Sequence, residues 1–370
     1  MKGQIGIDRI VLKAIDIQQV NARLMRQSFL IRENGEYFRI MIDGAGEGQI
    51  KVSYIKVKST EGITLKINEL DIGVKKVNNQ LIPYEYLDAT LPSLLDDKGL
   101  NVNNIQDVTS FIKSLEILEQ ELQELGFGQV DLKKAQIEEL ELNINIAIAG
   151  EFGEYERPLK YIKGLLPRTL KKEQEYRDRV TGDYTGFKCF NNSISFKIYN
   201  KRAQVQEEHN HDIGEELLRL EYRLLSGEKV KDLLGHNQVE ELIKDFEQIE
   251  RAFRVRLEKD LINKLGKDIQ DQLKNTIKKL KDYKAKYKSK YITQVVGALG
   301  ENSLLDYEIL KRAFEIVEEG KNKNTLKNNL ALVRQKLRKK EKLNNISYFG
   351  NIDKINKLLT ALGYEKIGLK

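Results

Sequence analysis

The sequence has few of the residues that build covalent or metal frameworks: of 370 residues, one is cysteine (Cys189), three are histidine and none is tryptophan. A single cysteine excludes an internal disulfide framework and is typical of a protein in a reducing cytosol. So few cysteines and histidines also exclude a zinc cluster of the usual ligand spacing. No apolar run approaches bilayer-spanning length, and no apolar leader follows Met1. We therefore expect a soluble, cytoplasmic protein with no membrane partner.

Two motifs that would indicate other chemistries are missing or weak. No Gly-x-x-x-x-Gly-Lys-Ser/Thr loop occurs, so NTP hydrolysis is unsupported. His209 and His211 flank Asn210, and such a pair could ligate a metal. Their polar, loop-like context favours two histidines without a special role.

The character of the sequence changes near residue 232. Before this point, segments alternate between polar and apolar residues, as strands do, with a charge-rich linker over residues 151–180. Beyond it, proline is absent and apolar residues recur at helical spacing. The pattern predicts an α+β protein, with an antiparallel-sheet domain over residues 1–232 and an all-helical domain over residues 233–370.

Two alternating segments, residues 193–201 and 218–224, are the most informative stretches. Alternation sends neighbouring side chains to opposite faces of a sheet. The polar face of the first carries Ser193, Ser195, Lys197, Tyr199 and Lys201, and that of the second carries Arg219, Glu221 and Arg223. Paired with their apolar faces inward, the segments would form a polar surface suited to phosphodiester chemistry. The alternative is an ordinary strand tyrosine among cross-strand charge pairs.

Acidic side chains recur on two further predicted strands. In residues 136–146, one face carries Glu139, Glu141, Asn143 and Asn145. Carboxylate and amide oxygens can ligate a hard divalent cation, although the same pattern fits the solvated side of a sheet.

The opening strand, residues 5–12, carries an acid in its middle. Alternation predicts that Asp8 and Ile10 share one face, with Ile7, Arg9 and Val11 on the other. A buried acid without a partner costs free energy. Asp8 is therefore either a surface residue or part of a charged site.

Two basic runs lie in the predicted helical domain. Eight lysines and one acid occur between Lys274 and Lys290, and a second run covers residues 334–342. Such runs often form a solvated helix face, but two of them in a protein of net charge +7 favour a surface that binds DNA. The candidate DNA-binding residues are Lys278, Lys279, Lys284, Lys288, Arg338, Lys339 and Lys340.

The motifs Ile-Tyr-Asn-Lys at residues 198–201 and Arg-Leu-Glu at residues 219–221 carry a family resemblance. In this combination the sequence resembles the rolling-circle replication initiators of the Rep_trans plasmid type and the filamentous-phage replication endonucleases. The Ile7-Asp8 pair and residues 139–144 follow two further strand patterns of these proteins. The resemblance extends over about residues 5–235.

The resemblance implies a DNA nickase and strand transferase. Tyr199 would attack a backbone phosphate at an origin, leaving a 5′-phosphotyrosine and a 3′-hydroxyl that primes synthesis. Mg²⁺ or Mn²⁺ would be held by Glu141, Glu221 and Asp8. Lys201 and Arg219 would act with Tyr199 by offsetting charge on the phosphate. A host helicase partner is also implied, and a homodimer is a further expectation.

Other functions are compatible with the same residues. A conjugative relaxase would make the same nick for transfer rather than replication. A non-catalytic DNA-binding regulator is supported by departures from the family pattern, since Glu139 replaces a basic residue, Glu141 replaces Asp, and Gln204 stands where plasmid members often carry Glu. A helical scaffold whose basic face is only solvated is a further alternative.

Overall fold

One antiparallel sheet organises the fold. The computed structural model describes residues 3–15, 29–31, 37–43, 49–55, 69–77, 80–96, 101–124, 129–288, 291–298, 306–320, 322–344 and 347–369. Within these residues the strands are β1 (Ile5–Lys13), β2 (Phe29–Ile31), β3 (Tyr37–Asp43), β4 (Gln49–Ile55), β5 (Glu69–Val77), β6 (Gln80–Thr90), β7 (Gln136–Ala147), β8 (Lys172–Arg177), β9 (Tyr184–Phe190), β10 (Ile194–Asn200) and β11 (Leu217–Leu224). Their order is β2-β3-β4-β5-β6-β1-β7-β11-β10-β9-β8.

The described helices are α1 (Leu91–Leu95), α2 (Val108–Glu124), α3 (Glu156–Leu165), α4 (Lys201–His209), α5 (Gly227–Leu234), α6 (Val239–Lys244), α7 (Gln248–Leu257), α8 (Asn263–Tyr287), α9 (Tyr291–Ala298), α10 (Tyr307–Val317), α11 (Lys323–Asn344) and α12 (Asn351–Ala361). Helices α1 to α4 lie between strands, and the remaining helices follow the last strand. A π-helical turn, Glu258–Ile262, joins α7 to α8. An antiparallel sheet followed by helices confirms the predicted α+β class with a helical C-terminal region.

The first hydrophobic core lies between the apolar face of the sheet and the helices that cover it. Helix α2 places Phe111, Leu115, Leu118 and Leu122 on one stripe, all fully buried, because residues spaced three or four apart share a helix face. Helices α5, α6 and α7 add buried side chains to the same core. The opposite, polar face of the sheet is left for the candidate site.

The second core lies among the C-terminal helices. Helix α8 contributes Leu265, Ile269, Leu273 and Leu280, which meet Phe314 of α10 and two buried residues of α11. None of the described helices is both long and apolar enough to cross a bilayer.

Helix α12 belongs to both cores. Its residues Leu358 and Leu362, the latter just past the helix end, lie in the core beneath the sheet, whereas Ile355 and Leu359 lie in the helical core. The carbonyl oxygen of Ala361 accepts a hydrogen bond of 3.0 Å from the amide of Gly3, just before β1. The end of α12 is thus hydrogen-bonded to the segment that leads into β1.

The sheet core continues beyond the position at which the sequence changes character. Buried residues from Val239 to Leu261 pack in the core of the sheet, and the helical core begins with Leu265. The domain boundary near residue 232 stays a prediction, but the helices just after it cover the sheet. Residues 151–180, interpreted above as a linker, contain α3 and β8.

Candidate active site

Strands β10 and β11 bring the predicted polar residues together. In their antiparallel pairing Tyr199 lies opposite Arg219, and Lys197 lies opposite Glu221. Paired residues share a face, so these four side chains form two adjacent rows. The apolar residues between them, such as Ile198 and Leu220, lie in the sheet core. Within β10 and β11 the predicted faces are confirmed, whereas Ser193 precedes β10 and Lys201 follows it.

Strand β7 extends the polar face on the other side of β11. Asn145 lies opposite Arg219, Asn143 opposite Glu221, and Glu141 opposite Arg223. The alternation predicted for β7 therefore holds.

Asp8 reaches this face through a bulge in β1. Ile7 pairs with Leu142 and Arg9 pairs with Glu141, so Asp8 is an extra residue on its strand. A bulge breaks alternation and redirects side chains. The prediction that Asp8 shares a face with Ile10 is wrong, because Ile7 and Ile10 both lie in the core whereas Asp8 lines the polar groove.

Asp8, Glu141 and Glu221 form a buried carboxylate cluster. One oxygen from each lies within 4.8 Å of the others, and each residue is at most 5% exposed. The structure thus brings together the three residues predicted to hold a divalent cation. Burying three carboxylates is costly unless cations or protons compensate their charge.

Lys197 provides part of this compensation. Its Nζ donates to Glu221 and lies 3.4 Å from Oε2 of Glu141. Burial, reinforced by the charge of Glu221, raises the pKa of Glu141 to about 8. For Glu221, burial is outweighed by the charges of Lys197 and Arg219, which lower its pKa. Without a bound cation, a proton is therefore held more readily by Glu141 than by Glu221.

Tyr199 touches the cluster directly. Its hydroxyl donates a hydrogen bond to Oε1 of Glu221, and the residue is only 8% exposed. Burial first, and then the charge of Glu221, raises the pKa of Tyr199 well above its ordinary value, while the charge of Arg219 acts in the opposite direction. The phenol is therefore protonated at rest and needs positive charge to become a nucleophile.

Arg219 is fixed by a loop that sequence reasoning did not identify. Its Nε donates to Oδ1 of Asn145 at 2.7 Å, and its Nη2 donates to the carbonyl oxygens of Asn101 and Val102 at 2.9 and 2.7 Å. Its Nη1 lies 3.6 Å from Oδ2 of Asp8. The fully buried guanidinium is thus held in one orientation beside Tyr199.

Lys201 lies on a helix rather than on the strand predicted for it. Asn200 ends β10 and caps α4, its side chain accepting a hydrogen bond from the amide of Ala203, so the strand periodicity stops one residue before Lys201. The Lys201 ammonium is nevertheless buried and donates to Oε1 of Gln204 at 2.9 Å. Burial, aided by the charge of Arg219, lowers its pKa to about 7.

A groove of about 580 Å³ opens above the cluster. Its lining includes Asp8, Arg9, Glu141, Tyr176, Arg177, Arg179, Lys197, Tyr199, Gln204 and Glu221. The ring of Tyr176 on β8 meets that of Tyr199 edge-on, with centroids 6.4 Å apart. Arg9 is held by Asp88, its Nε donating at 2.6 Å. The groove therefore has acids at its floor and walls of mixed charge, since Glu175, Asp178, Glu207 and Glu208 line it together with the arginines and the aromatic ring.

Sequence reasoning missed Arg9, Tyr176 and Arg177 as groove residues. Arg9 directly follows Asp8 in a largely apolar strand. Two adjacent residues of opposite charge in such a strand could have indicated that Arg9 lies at the site. Tyr176 and Arg177 fall in the stretch interpreted as a linker.

The residues present fit a divalent cation. The cluster offers carboxylate oxygens only, which are the ligands that Mg²⁺ and Mn²⁺ prefer. Oδ1 of Asp8 is buried and has no hydrogen-bond partner. The side chain of Lys197 is partly exposed and lines the groove above these carboxylates.

The predicted DNA-binding residues differ in their surroundings. Lys278, Lys279 and Lys288 are exposed on or just after α8, and Arg338 and Lys339 are exposed on α11, beside the half-buried Lys340. Lys284 instead points inward, with its Nζ 2.9 Å from Oε1 of the buried Glu318.

Comparisons with known proteins give a distant structural likeness. The sequence matches no protein-family model and no curated protein sequence. Among solved structures, the chain is similar to the rolling circle replication initiator protein from Geobacillus stearothermophilus, with 13% identity and a TM-score of 0.30. The match covers 66% of this chain and 79% of that chain. A likeness with this TM-score gives no residue-by-residue correspondence. The role of each site residue is therefore argued from the geometry of this chain alone.

Proposed function

We propose that this chain is a metal-dependent DNA nickase and strand transferase that initiates rolling-circle replication of a plasmid or phage. The observation that carries the proposal is the hydrogen bond from the Tyr199 hydroxyl to Glu221, a member of the buried carboxylate cluster at the floor of the groove. A nucleophile, a charge-compensated acid and a fixed guanidinium in contact are the parts that phosphodiester transfer requires.

In the proposed step, the Tyr199 oxygen attacks a backbone phosphorus in the groove. A bond forms between Oη and phosphorus, the bond from phosphorus to the 3′-oxygen breaks, and the phenolic proton leaves by way of its hydrogen bond to Glu221 to solvent in the groove. The 3′-oxygen takes up a proton from solvent. The products are a 5′-phosphotyrosine and a free 3′-hydroxyl, and reversal of the step reseals the strand.

The surrounding residues lower the barrier to this attack. Arg219 stabilises the developing phenolate, and its bonds to the loop at Asn101 and Val102 keep it from turning away. Asp8, Glu141 and Glu221 would hold Mg²⁺ or Mn²⁺, which polarises the phosphate and offsets its charge when bound.

Single-stranded DNA fits the groove chemically. Arg9, Arg177 and Arg179 line it, each paired with an acid (Asp88, Glu175 and Glu207) that a phosphate would have to displace. The Tyr176 ring offers a surface on which a base can stack. The exposed lysines and arginines of α8 and α11 would bind duplex DNA near the origin. A helicase partner and a homodimer remain predictions.

The test is covalent capture. Short labelled single strands drawn from the replicon that encodes the protein are incubated with protein and Mg²⁺ or Mn²⁺, and the products are separated on a denaturing gel. We expect a metal-dependent adduct that is lost in Tyr199→Phe and kept in Tyr176→Phe, the second tyrosine of the groove. If binding persists but no strand gives an adduct, the chain is a non-catalytic DNA-binding protein. Transfer by a relaxase is distinguished by whether the nicked site primes replication in cells.

A further inference from the structure

Asn143 is buried at the centre of the candidate site without a hydrogen-bond partner for its side chain. It is 0% exposed, and neither Oδ1 nor Nδ2 forms a hydrogen bond. A buried amide in this state costs free energy, so native structures retain one only where a water, an ion or a functional requirement explains it.

The strand register places Asn143 amid the carboxylates. Glu221 is its cross-strand neighbour on β11, and Gly6 is its neighbour on β1. Glu141 lies two residues before it on the same face of β7, and Asp8 follows Gly6 by two residues at the bulge. The space beside Gly6 where a Cβ would lie is filled by the backbone of Ile105 and the side chain of Asn104.

The next residue on this face provides a contrast. Asn145 accepts from Nε of Arg219 and donates to the carbonyl oxygen of Val102 at 2.7 Å, so both ends of its amide are satisfied. Two asparagines that alternate on one strand thus differ in role: Asn145 fixes Arg219, whereas Asn143 has an amide oxygen without a hydrogen-bond partner and Glu221 as its cross-strand neighbour.

We propose that Oδ1 of Asn143 is a fourth protein ligand of the divalent cation, alongside Asp8, Glu141 and Glu221. Amide oxygens join carboxylates in such sites because hard cations take oxygen ligands of either kind. A neutral fourth ligand adds an oxygen without adding negative charge to a cluster that already has three carboxylates. The inference rests on the proposed function in that it concerns the same cation site.

The experiment measures Mn²⁺ binding by the full chain without DNA, following the electron paramagnetic resonance signal of free Mn²⁺. Asn143→Leu replaces the amide with an apolar group of similar size, and Asn143→Asp keeps an oxygen at that position. We expect Asn143→Leu to raise the Kd for Mn²⁺ at least tenfold and Asn143→Asp to retain binding. Ser195→Ala is the matched control, since the Ser195 hydroxyl is also buried and unpartnered on this face; its Kd should be unchanged.

Folding of each variant is checked by thermal melting without metal. Asn143→Leu should melt no lower than the wild type, because it removes an unsatisfied amide, and Asn143→Ala is the second variant if it does not fold. An unchanged Kd in Asn143→Leu, or no Mn²⁺ binding by the wild type, overturns the proposal. Because the titration contains no DNA, Mn²⁺ binding that depends on Asn143 would stand even if no Tyr199 adduct formed, so the two proposals fail separately.

Discussion

Gly186 lies directly opposite Tyr199 in the pairing of β9 and β10, and the two backbones are too close for any side chain at residue 186. A Cβ there would meet the carbonyl oxygen of Ile198 and lie 2.6 Å from Cα of Tyr199. Gly186 also has a φ of +144°, which other residues rarely adopt. The strand that carries the proposed nucleophile is therefore positioned partly by the absence of a side chain on its neighbour.

We expect Gly186→Ala to lower the free energy of unfolding by about 1–3 kcal/mol and to reduce adduct formation, because β10 must shift. Urea unfolding and the covalent capture assay measure the two effects. Gly164→Ala is the control, since a Cβ at Gly164 of α3 meets no atom within 4 Å. Equal stability of the two variants would show that the close approach is not a constraint.

Replacing Arg219 should destabilise the fold as well as the site. Arg219→Met leaves Asp8 and the carbonyl oxygens of Asn101 and Val102 without their buried cation, which typically costs about 3–5 kcal/mol. Urea unfolding measures the loss. Arg202→Met removes exposed ion pairs with Asp212 and Glu216 and should cost no more than about 1 kcal/mol. A comparable loss in both variants would contradict the structural role of Arg219.

The lowered pKa of the buried Lys201 should make the stability of the fold depend on pH. Its pKa is about 7 in the folded chain, below its ordinary value of 10.5, so between these pH values the unfolded chain binds more protons. The free energy of unfolding therefore increases as the pH rises from 7 to 10.5. Below pH 7, Lys201 is charged in the folded chain, and the full cost of burying that charge lowers stability.

Lys201→Met should accordingly be more stable than the wild type at pH 6, by on the order of a few kcal/mol, and the difference should shrink toward pH 10. Urea unfolding across this pH range measures the difference. Lys274→Met, at an exposed position of α8, should give no such trend. A difference that does not depend on pH would rule out a charged, buried Lys201.

The Lys197 ammonium and a divalent cation should each be able to compensate the charge of the carboxylate cluster. Lys197→Met leaves Glu141 and Glu221 without their shared ammonium and should lower the free energy of unfolding by about 1–3 kcal/mol in the absence of metal. Mn²⁺ should then raise the melting temperature more in the variant than in the wild type, because no ammonium competes for the cluster. Thermal melts with and without Mn²⁺ measure this, and an equal shift in both proteins would exclude competition.

The salt dependence of DNA binding should separate the basic residues that contact phosphates from those that pair within the protein. Arg338→Gln and Lys339→Gln should each weaken binding and reduce the dependence of log K on log salt by about 1, as expected for a phosphate contact. Lys284→Gln should leave that slope unchanged and lower stability instead, because its ammonium pairs with buried Glu318. Fluorescence anisotropy over a salt series measures the slopes. A reduced slope for Lys284→Gln would place Lys284 on the DNA-binding surface.

Much of the site was predictable because strand alternation is a local property. The polar faces of β7, β10 and β11 follow from residue order, and the register then brings Glu141, Glu221 and Tyr199 together. The position of Asp8 was not predictable in the same way, since its bulge depends on how β1 pairs with β7.

Contacts between distant segments account for most of what the sequence did not reveal. The loop that fixes Arg219 lies more than a hundred residues before it, and no local pattern links the two. Lys201 was misplaced for a different reason, since Asn200 serves as the last strand residue and as the helix cap. Tyr176 was overlooked because β8 is an exposed edge strand with an almost entirely charged and polar sequence.

Helix α12 has a consequence for how the chain unfolds. This helix supplies side chains to the core beneath the sheet and to the core among the C-terminal helices. If either core unfolds and releases the helix, the other core loses part of its packing. The site on the sheet and the basic helices are therefore expected to melt in one cooperative transition, although they lie in regions of different secondary structure. A chain cut before Asn351 should lose the packing of both cores, and with it the groove that surrounds Tyr199.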